Sequence, residues 1–325
     1  MNSETPSPVI RSIWAAAAVP GHEPPYDTVH LRVFYPAAPD GSDRERLSGV
    51  MAADRSGAPY PVAVIVSGVN VGQEAYRWLA CRLAAAGIAA VTYDWVGTLF
   101  GGLNGITPGV DLDAARPAGY GTRPTTPSLR PVLDAVAKLG EPLDGVLDLS
   151  RVALIGHSAG GTVALQSARY FPEVKAVATY GAHTMVATML GWPAGTVLPA
   201  QADCPVLLAA GTRDGVILGS ADRYGEDAAT RRDPIARTFD EALPDRDGAN
   251  LLVHLAGANH FAIADPVDHT AARAFLDRDA EGDPEAIRDL LGDLVTAFCA
   301  RHLGGAADAL DPLLAAPGVA ALQRR

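Results

Sequence analysis

Apolar residues in this chain alternate between two rhythms. Short, mostly apolar runs at 62–66, 88–93, 152–155, 174–180, 205–210 and 251–255 read as strands, the continuous one at 62–66 with both faces covered as in a buried parallel sheet. Between them the spacing relaxes to that of a helix. A helix is predicted from about Gln73 to Ala86, with Tyr76, Leu79, Ala80 and Leu83 on one face and Gly87 as its cap. Others are predicted at 161–171 and at about 128–139. The last helix carries Ile287, Leu290, Leu291, Leu294, Val295 and Phe298 as one stripe, opened by Asp283 and Pro284. Residues 9–36 read as two strands, the second alternating from Val29 to Tyr35 and closed by Pro36. Strands alternating with helices predict an α/β fold: a mostly parallel sheet of about eight strands, helices on both faces, and one domain over residues 1–325.

The polar gaps differ in character. Residues 37–60 read as an exposed connection. The excursion at 97–127 is rich in Gly, Pro and Thr and leaves the carboxyl end of a strand, where open α/β sheets bind ligands. A second excursion, 182–203, carries Met185, Met189 and Trp192, which suit either core packing or an acyl pocket. A third, 216–249, is charged from residue 221 and reads as a helical surface segment. The acidic stretch 265–282 is expected to be partly helical. The tail, 304–325, is rich in Ala, Leu and Pro and is expected to pack on the surface or against a partner.

Composition narrows the classes. The 325 residues are 48% hydrophobic with a net charge of −11. No basic run exists, so nucleic acid and anionic membrane are poor partners. No apolar stretch reaches the ~18 residues of a span, and the N-terminus lacks the pattern of a signal peptide. Cys81, Cys204 and Cys299 sit in apolar runs without paired spacing and read as buried free thiols. The expected setting is cytoplasmic, and a homo-oligomer stays open. No metal-ligand set appears; Asp111 and Asp113 read as solvated carboxylates. No phosphate-binding glycine loop appears either, so no cofactor is expected.

The chemistry gathers at Gly156-His157-Ser158-Ala159-Gly160, between a buried strand and a helix. A serine on so sharp a turn needs small neighbours, and the helix N-terminus behind it faces developing negative charge. A serine hydroxyl needs a base in reach, and an imidazole base needs a carboxylate to fix its tautomer. Asp214 and His260 each follow a later strand in a small-residue turn, in the chain order Ser, acid, His. Asp94 and Asp265 are the rival acids and His269 the rival base. Backbone donors for an oxyanion are expected at Ala159 and at Val69, in the turn Ser67-Gly68-Val69-Asn70. Trp95, His157, His183, Met185 and Trp192 are candidates for a substrate pocket.

These residues resemble the α/β-hydrolase superfamily over roughly 28–303, nearest to its dienelactone-hydrolase-like and cutinase-like (polyester hydrolase) branch. The segment 64–73 with Trp78, Arg82 and Leu83 is similar to that branch's oxyanion loop and helix. Gly156 to Gly161 resembles its elbow, and 211–214 and 257–260 resemble its acid and base turns. The resemblance implies an α/β-hydrolase fold and a serine hydrolase that cleaves a small-molecule ester or thioester through an acyl-enzyme. Thioesterase, acyltransferase or cyclase, and C–C hydrolase chemistry use the same triad. A non-catalytic binding protein on this fold is the reading of another class. The chain departs from the polyester hydrolases at Val69, where they usually carry an aromatic residue, and near His183, where they often carry Trp. It also lacks their secretion signal and disulfides. These departures point to an intracellular esterase or a tailoring enzyme of secondary metabolism.

Overall fold

The computed structural model describes residues 8–99, 101–225, 232–270, 273–305 and 308–325. Residues 1–7, read above as no leader, lie outside the described residues. So do Phe100 and residues 226–231, 271–272 and 306–307, which belong to the excursions, the acidic stretch and the tail.

Unbroken apolar runs require cover on both faces, and the sheet supplies it. Its strands are β1 (Val9–Ala18), β2 (Thr28–Ala37), β3 (Tyr60–Val66), β4 (Ala89–Thr98), β5 (Asn104–Ile106), β6 (Leu147–His157), β7 (Val174–Tyr180), β8 (Val206–Gly211), β9 (Leu251–Leu255) and β10 (Val319–Arg324). The spatial order is β1-β2-β4-β3-β6-β7-β8-β9-β10, with β5 paired to β4. Strands β4, β3, β6, β7, β8 and β9 run parallel. Strand β2 joins β4 antiparallel, β1 joins β2 antiparallel, and β10 joins β9 antiparallel.

Alternation then divides the core in two. Val62, Val64 and Val66 of β3 face one layer, with Val152 and Leu154 of β6 and the helix Leu129–Ala137. Ala63 and Ile65 face the other, with Ala153 and Ile155 and the helices Arg77–Ala85 and Pro284–His302. In the helix Arg77–Ala85 the buried residues are Leu79, Ala80, Leu83 and Ala84, a single face. Asp283 caps the last long helix by accepting from Glu285 N–H, and Pro284 takes the first turn.

The sheet is wider than the eight strands expected. Strand β5 forms inside the 97–127 excursion as a short antiparallel partner of β4. Strand β10 forms from the tail. Its Ala- and Leu-rich sequence suits a helix, but the free edge of β9 offers unpaired backbone groups, and covering them decides the outcome. Asn250 and Arg325 close that pairing with two backbone bonds, at 3.0 and 2.9 Å. The 216–249 excursion also differs from a surface segment. It contains a helix, Pro234–Arg237, and a π-helical turn, Thr238–Ala242, and Ile235, Phe239 and Leu243 enter the core. Dense charge hid that short apolar spacing. Pro36, read as closing β2, lies within it and pairs with Ile10. Among the described residues of the acidic stretch 265–282 the helical part is one turn, Ala274–Leu276.

Cys81, Cys204 and Cys299 are free. Burial pushes the thiol of Cys204 up to about 11 and that of Cys299 to about 12. No helix among the described residues is long and apolar enough to cross a membrane.

Candidate active site

Strand β6 delivers Ser158 onto a turn with φ 52° and ψ −123°, a backbone shape that a side chain adopts only under strain. The helix Ala159–Leu165 starts at the next residue. The turn closes because its glycines let backbones touch. A Cβ at Gly156 would stand 2.3 Å from Gly161 Cα, and one at Gly160 would stand 2.2 Å from the Val66 carbonyl oxygen. Backbone there cannot yield as a flexible side chain would. Gly160→Ala is therefore expected to cost about 3 kcal/mol of stability, read as a fall in the urea midpoint at unchanged slope.

The acid and base arrive from the carboxyl ends of β8 and β9. His260 Nδ1 lies 2.7 Å from Asp214 Oδ2, with His260 2% and Asp214 4% exposed. A carboxylate only accepts, so Nδ1 carries the proton and Nε2 is left as the basic nitrogen. The second oxygen, Asp214 Oδ1, accepts from Ile217 N–H at 2.9 Å, so the carboxylate cannot rotate freely. Ser158 is tied to this pair through one dipeptide. Its N–H donates to the Tyr180 carbonyl at 2.9 Å, and a Cβ on the next residue, Gly181, would stand 2.8 Å from His260 Nδ1. Neither Ser158 Oγ nor His260 Nε2 has a hydrogen-bond partner among the described residues.

The turn 67–70 approaches from β3. A Cβ at Gly68 would lie 3.4 Å from Ser158 Cβ. Gly68 N–H donates to Tyr76 Oη at 3.0 Å and Asn70 N–H to the Ile106 carbonyl at 2.8 Å. Val69 N–H, between them, has no partner among the described residues. Ala159 N–H, first in its helix, has none inside the helix. Two unspent backbone donors therefore flank the serine. A cleft of about 560 Å³ opens beside this turn, lined by Val71, Ala75, Ile106, Phe261 and Ala264 among others. The excursion 97–127 borders it through Ile106 of β5.

The pocket candidates separate into two groups. His157 is buried against His260, with ring centroids 4.9 Å apart. His183 is 5% exposed, accepts Met185 N–H on Nδ1 at 3.1 Å, and meets Tyr224 edge-on. Its main-chain carbonyl accepts from Thr162 Oγ1 of the helix behind the serine. Met185 is buried, with its sulfur 3.9 Å from Arg237 Nη1. Trp95 is core: its indole N–H donates to the Tyr26 carbonyl at 2.9 Å, and its ring packs on His22. Trp192 spends its N–H on the Ala115 carbonyl at 2.9 Å, which pins the 182–203 excursion to 97–127. The rival acids are engaged elsewhere. Asp94 accepts from Gln73 N–H at 2.8 Å, and Asp265 pairs with Arg288 at 3.6 Å.

Asp277, inside the acidic stretch, is a residue that pattern reading passes over. Its carboxylate accepts from the N–H groups of Gly215, His260 and Phe261 at 3.0, 3.2 and 3.3 Å. It thereby joins the acid turn to the base turn. Burial raises its pKa, against the pull of those donors. In sequence it is one carboxylate among many, and only its backbone partners set it apart.

Electrostatics keep two nearby imidazoles neutral. Burial, then the charge of His260, holds His157 well below its ordinary value. Burial pushes His183 down to about 4. The unfolded chain then binds more protons than the folded one below the ordinary histidine value, so stability rises with pH in that window. As pH falls from about 6.5 toward 4, His183 withdraws about 1.4 kcal/mol per pH unit, and His157 acts in the same direction. The urea midpoint is expected to be clearly lower at pH 5 than at pH 7. An unchanged midpoint would mean that both rings take up protons inside the fold.

Among the described residues no three His, Cys, Asp or Glu side chains converge as a metal-binding group. No protein-family model matches the chain, and no curated protein matches it.

Proposed function

We propose that the chain is a serine hydrolase of the α/β-hydrolase type that cleaves a carboxylic ester of a small molecule. The observation that carries this reading is the buried Asp214–His260 pair at 2.7 Å, tied by Tyr180-Gly181 to a serine at φ 52°. In the proposed reaction His260 Nε2 takes the proton of Ser158 as Oγ attacks the carbonyl carbon. The tetrahedral oxygen is held by Val69 and Ala159 N–H groups, each worth about 2.7–4 kcal/mol in the transition state. His260 then protonates the departing alcohol. Water attacks the acyl carbon as it gives a proton to His260, which returns that proton to Ser158 Oγ as the C–O bond to the serine breaks and the acid leaves. In the proposed reaction the Oγ–Nε2 hydrogen bond forms as substrate binds, since catalytic hydrogen bonds commonly tighten only in the substrate complex.

The cleft is mixed, with Val71, Ala75, Ile106, Phe261 and Ala264 beside Asn70, Asp268 and Thr270, and its apolar side supports an apolar substituent on the ester. The test is intact mass after a fluorophosphonate. A single adduct that is absent from Ser158→Ala supports the reading. A folded wild-type protein without an adduct would overturn it.

A further inference from the structure

A chain of buried hydrogen bonds runs behind the serine. Gly68 N–H donates to Tyr76 Oη at 3.0 Å. Tyr76 Oη lies 2.8 Å from His157 Nδ1, and His157 Nε2 lies 3.1 Å from the carbonyl oxygen of His260. A carbonyl only accepts, so Nε2 carries the proton of His157 and Nδ1 accepts from the tyrosine hydroxyl. Every donor in the chain then has one acceptor, and with both side chains neutral no other arrangement satisfies all three contacts. Tyr76 is 0% and His157 1% exposed.

We propose that Tyr76 and His157 are positioning residues, a strut that sets the distance between the donor turn at Val69 and the base at His260. Its two ends fall where spacing matters. One end holds Gly68, the residue before Val69, and the other holds the main chain of His260 itself. The strut also occupies the Gly68 N–H, which leaves Val69 as the donor the turn presents. An apolar pair of similar shape would fill the space but leave Gly68 N–H and the His260 carbonyl without these partners, so what the two side chains add is a hydrogen-bonded link between the two ends. The strut's effect on rate rests on the acyl-transfer reading above, whereas its effect on geometry does not.

The experiment uses the full-length chain and the variants Tyr76→Phe, His157→Gln and their double. Active serines are titrated with a fluorophosphonate, and p-nitrophenyl butyrate turnover is expressed per titrated serine. Each single variant is expected to lose about 10- to 100-fold in kcat with KM little changed. The double should lose no more than the worse single, because either change breaks the same strut. Unchanged kcat per titrated serine in both single variants overturns the proposal, as do losses that multiply in the double. A purely structural role would lower the number of titratable serines and leave kcat per serine intact.

A second readout is independent of turnover. The downfield proton resonance of His260 Nδ1–H is expected to broaden and exchange faster in His157→Gln, the change nearest to the base. Should wild type take no probe, the acyl-transfer reading fails and this resonance alone decides the strut. Broadening supports it, and a resonance identical to wild type overturns it.

Discussion

Ser158→Ala is expected to lower kcat by about 10⁶-fold and leave the fold in place. Alanine keeps the Cβ, so the turn at φ 52° is no more strained than with serine. What disappears is the oxygen that would bond to the carbonyl carbon. His260 then has no proton to withdraw, and the donors at Val69 and Ala159 have no covalent intermediate to hold. Residual hydrolysis would come from those donors acting on bound ester with water as nucleophile. Because serine and imidazole act as one unit, Ser158→Ala/His260→Ala should be no slower than either single variant. Turnover of a p-nitrophenyl ester, with circular dichroism as the folding control, measures this. Retention of most activity in Ser158→Ala would mean that another group attacks.

Asp214→Asn is expected to lower kcat by about 10⁴-fold, and the reason lies in the acid's other contact. Oδ1 of Asp214 is fixed by Ile217 N–H, a group that can only donate. In the asparagine variant the amide oxygen must therefore stay on Ile217, and the NH₂ must turn to His260 Nδ1. A donor facing Nδ1 demands an acceptor there, so the ring proton moves to Nε2. The nitrogen that should take the serine's proton would then already hold one. The side chain keeps its size and its cap, so the thermal midpoint should move little. The variant should regain rate at high pH, where deprotonation of the serine no longer depends on the imidazole. A loss of only a few-fold at neutral pH would show that Asp214 has no part in setting the tautomer.

The legible features are those carried by local composition. The strand–turn–helix at Ser158 could be read because glycines must stand where backbones meet, and Gly156 and Gly160 do so. Asp214 and His260 could be chosen because both follow apolar strands that a parallel sheet aligns, and strands β8 and β9 are neighbours. The strut could not be read, since Tyr76 and His157 are 81 residues apart and meet only through tertiary packing. Asp277 is hidden by its acidic surroundings, which suggest solvation when its carboxylate binds three main-chain N–H groups. The strand from Val319 to Arg324 is hidden for another reason, because an open sheet edge outweighs the helical preference of its own residues. Trp95 and Trp192 suit a pocket or core packing equally in sequence, and the structure adds that their indole N–H groups are bonded to the Tyr26 and Ala115 carbonyls.

The three bonds to Asp277 also bear on motion. One carboxylate holds main-chain groups of both the loop that carries Asp214 and the loop that carries His260. Either loop must give up its own bond to that carboxylate before it lifts from the sheet. On the proposed reading, solvent reaches the acid–base pair only through openings that break these bonds.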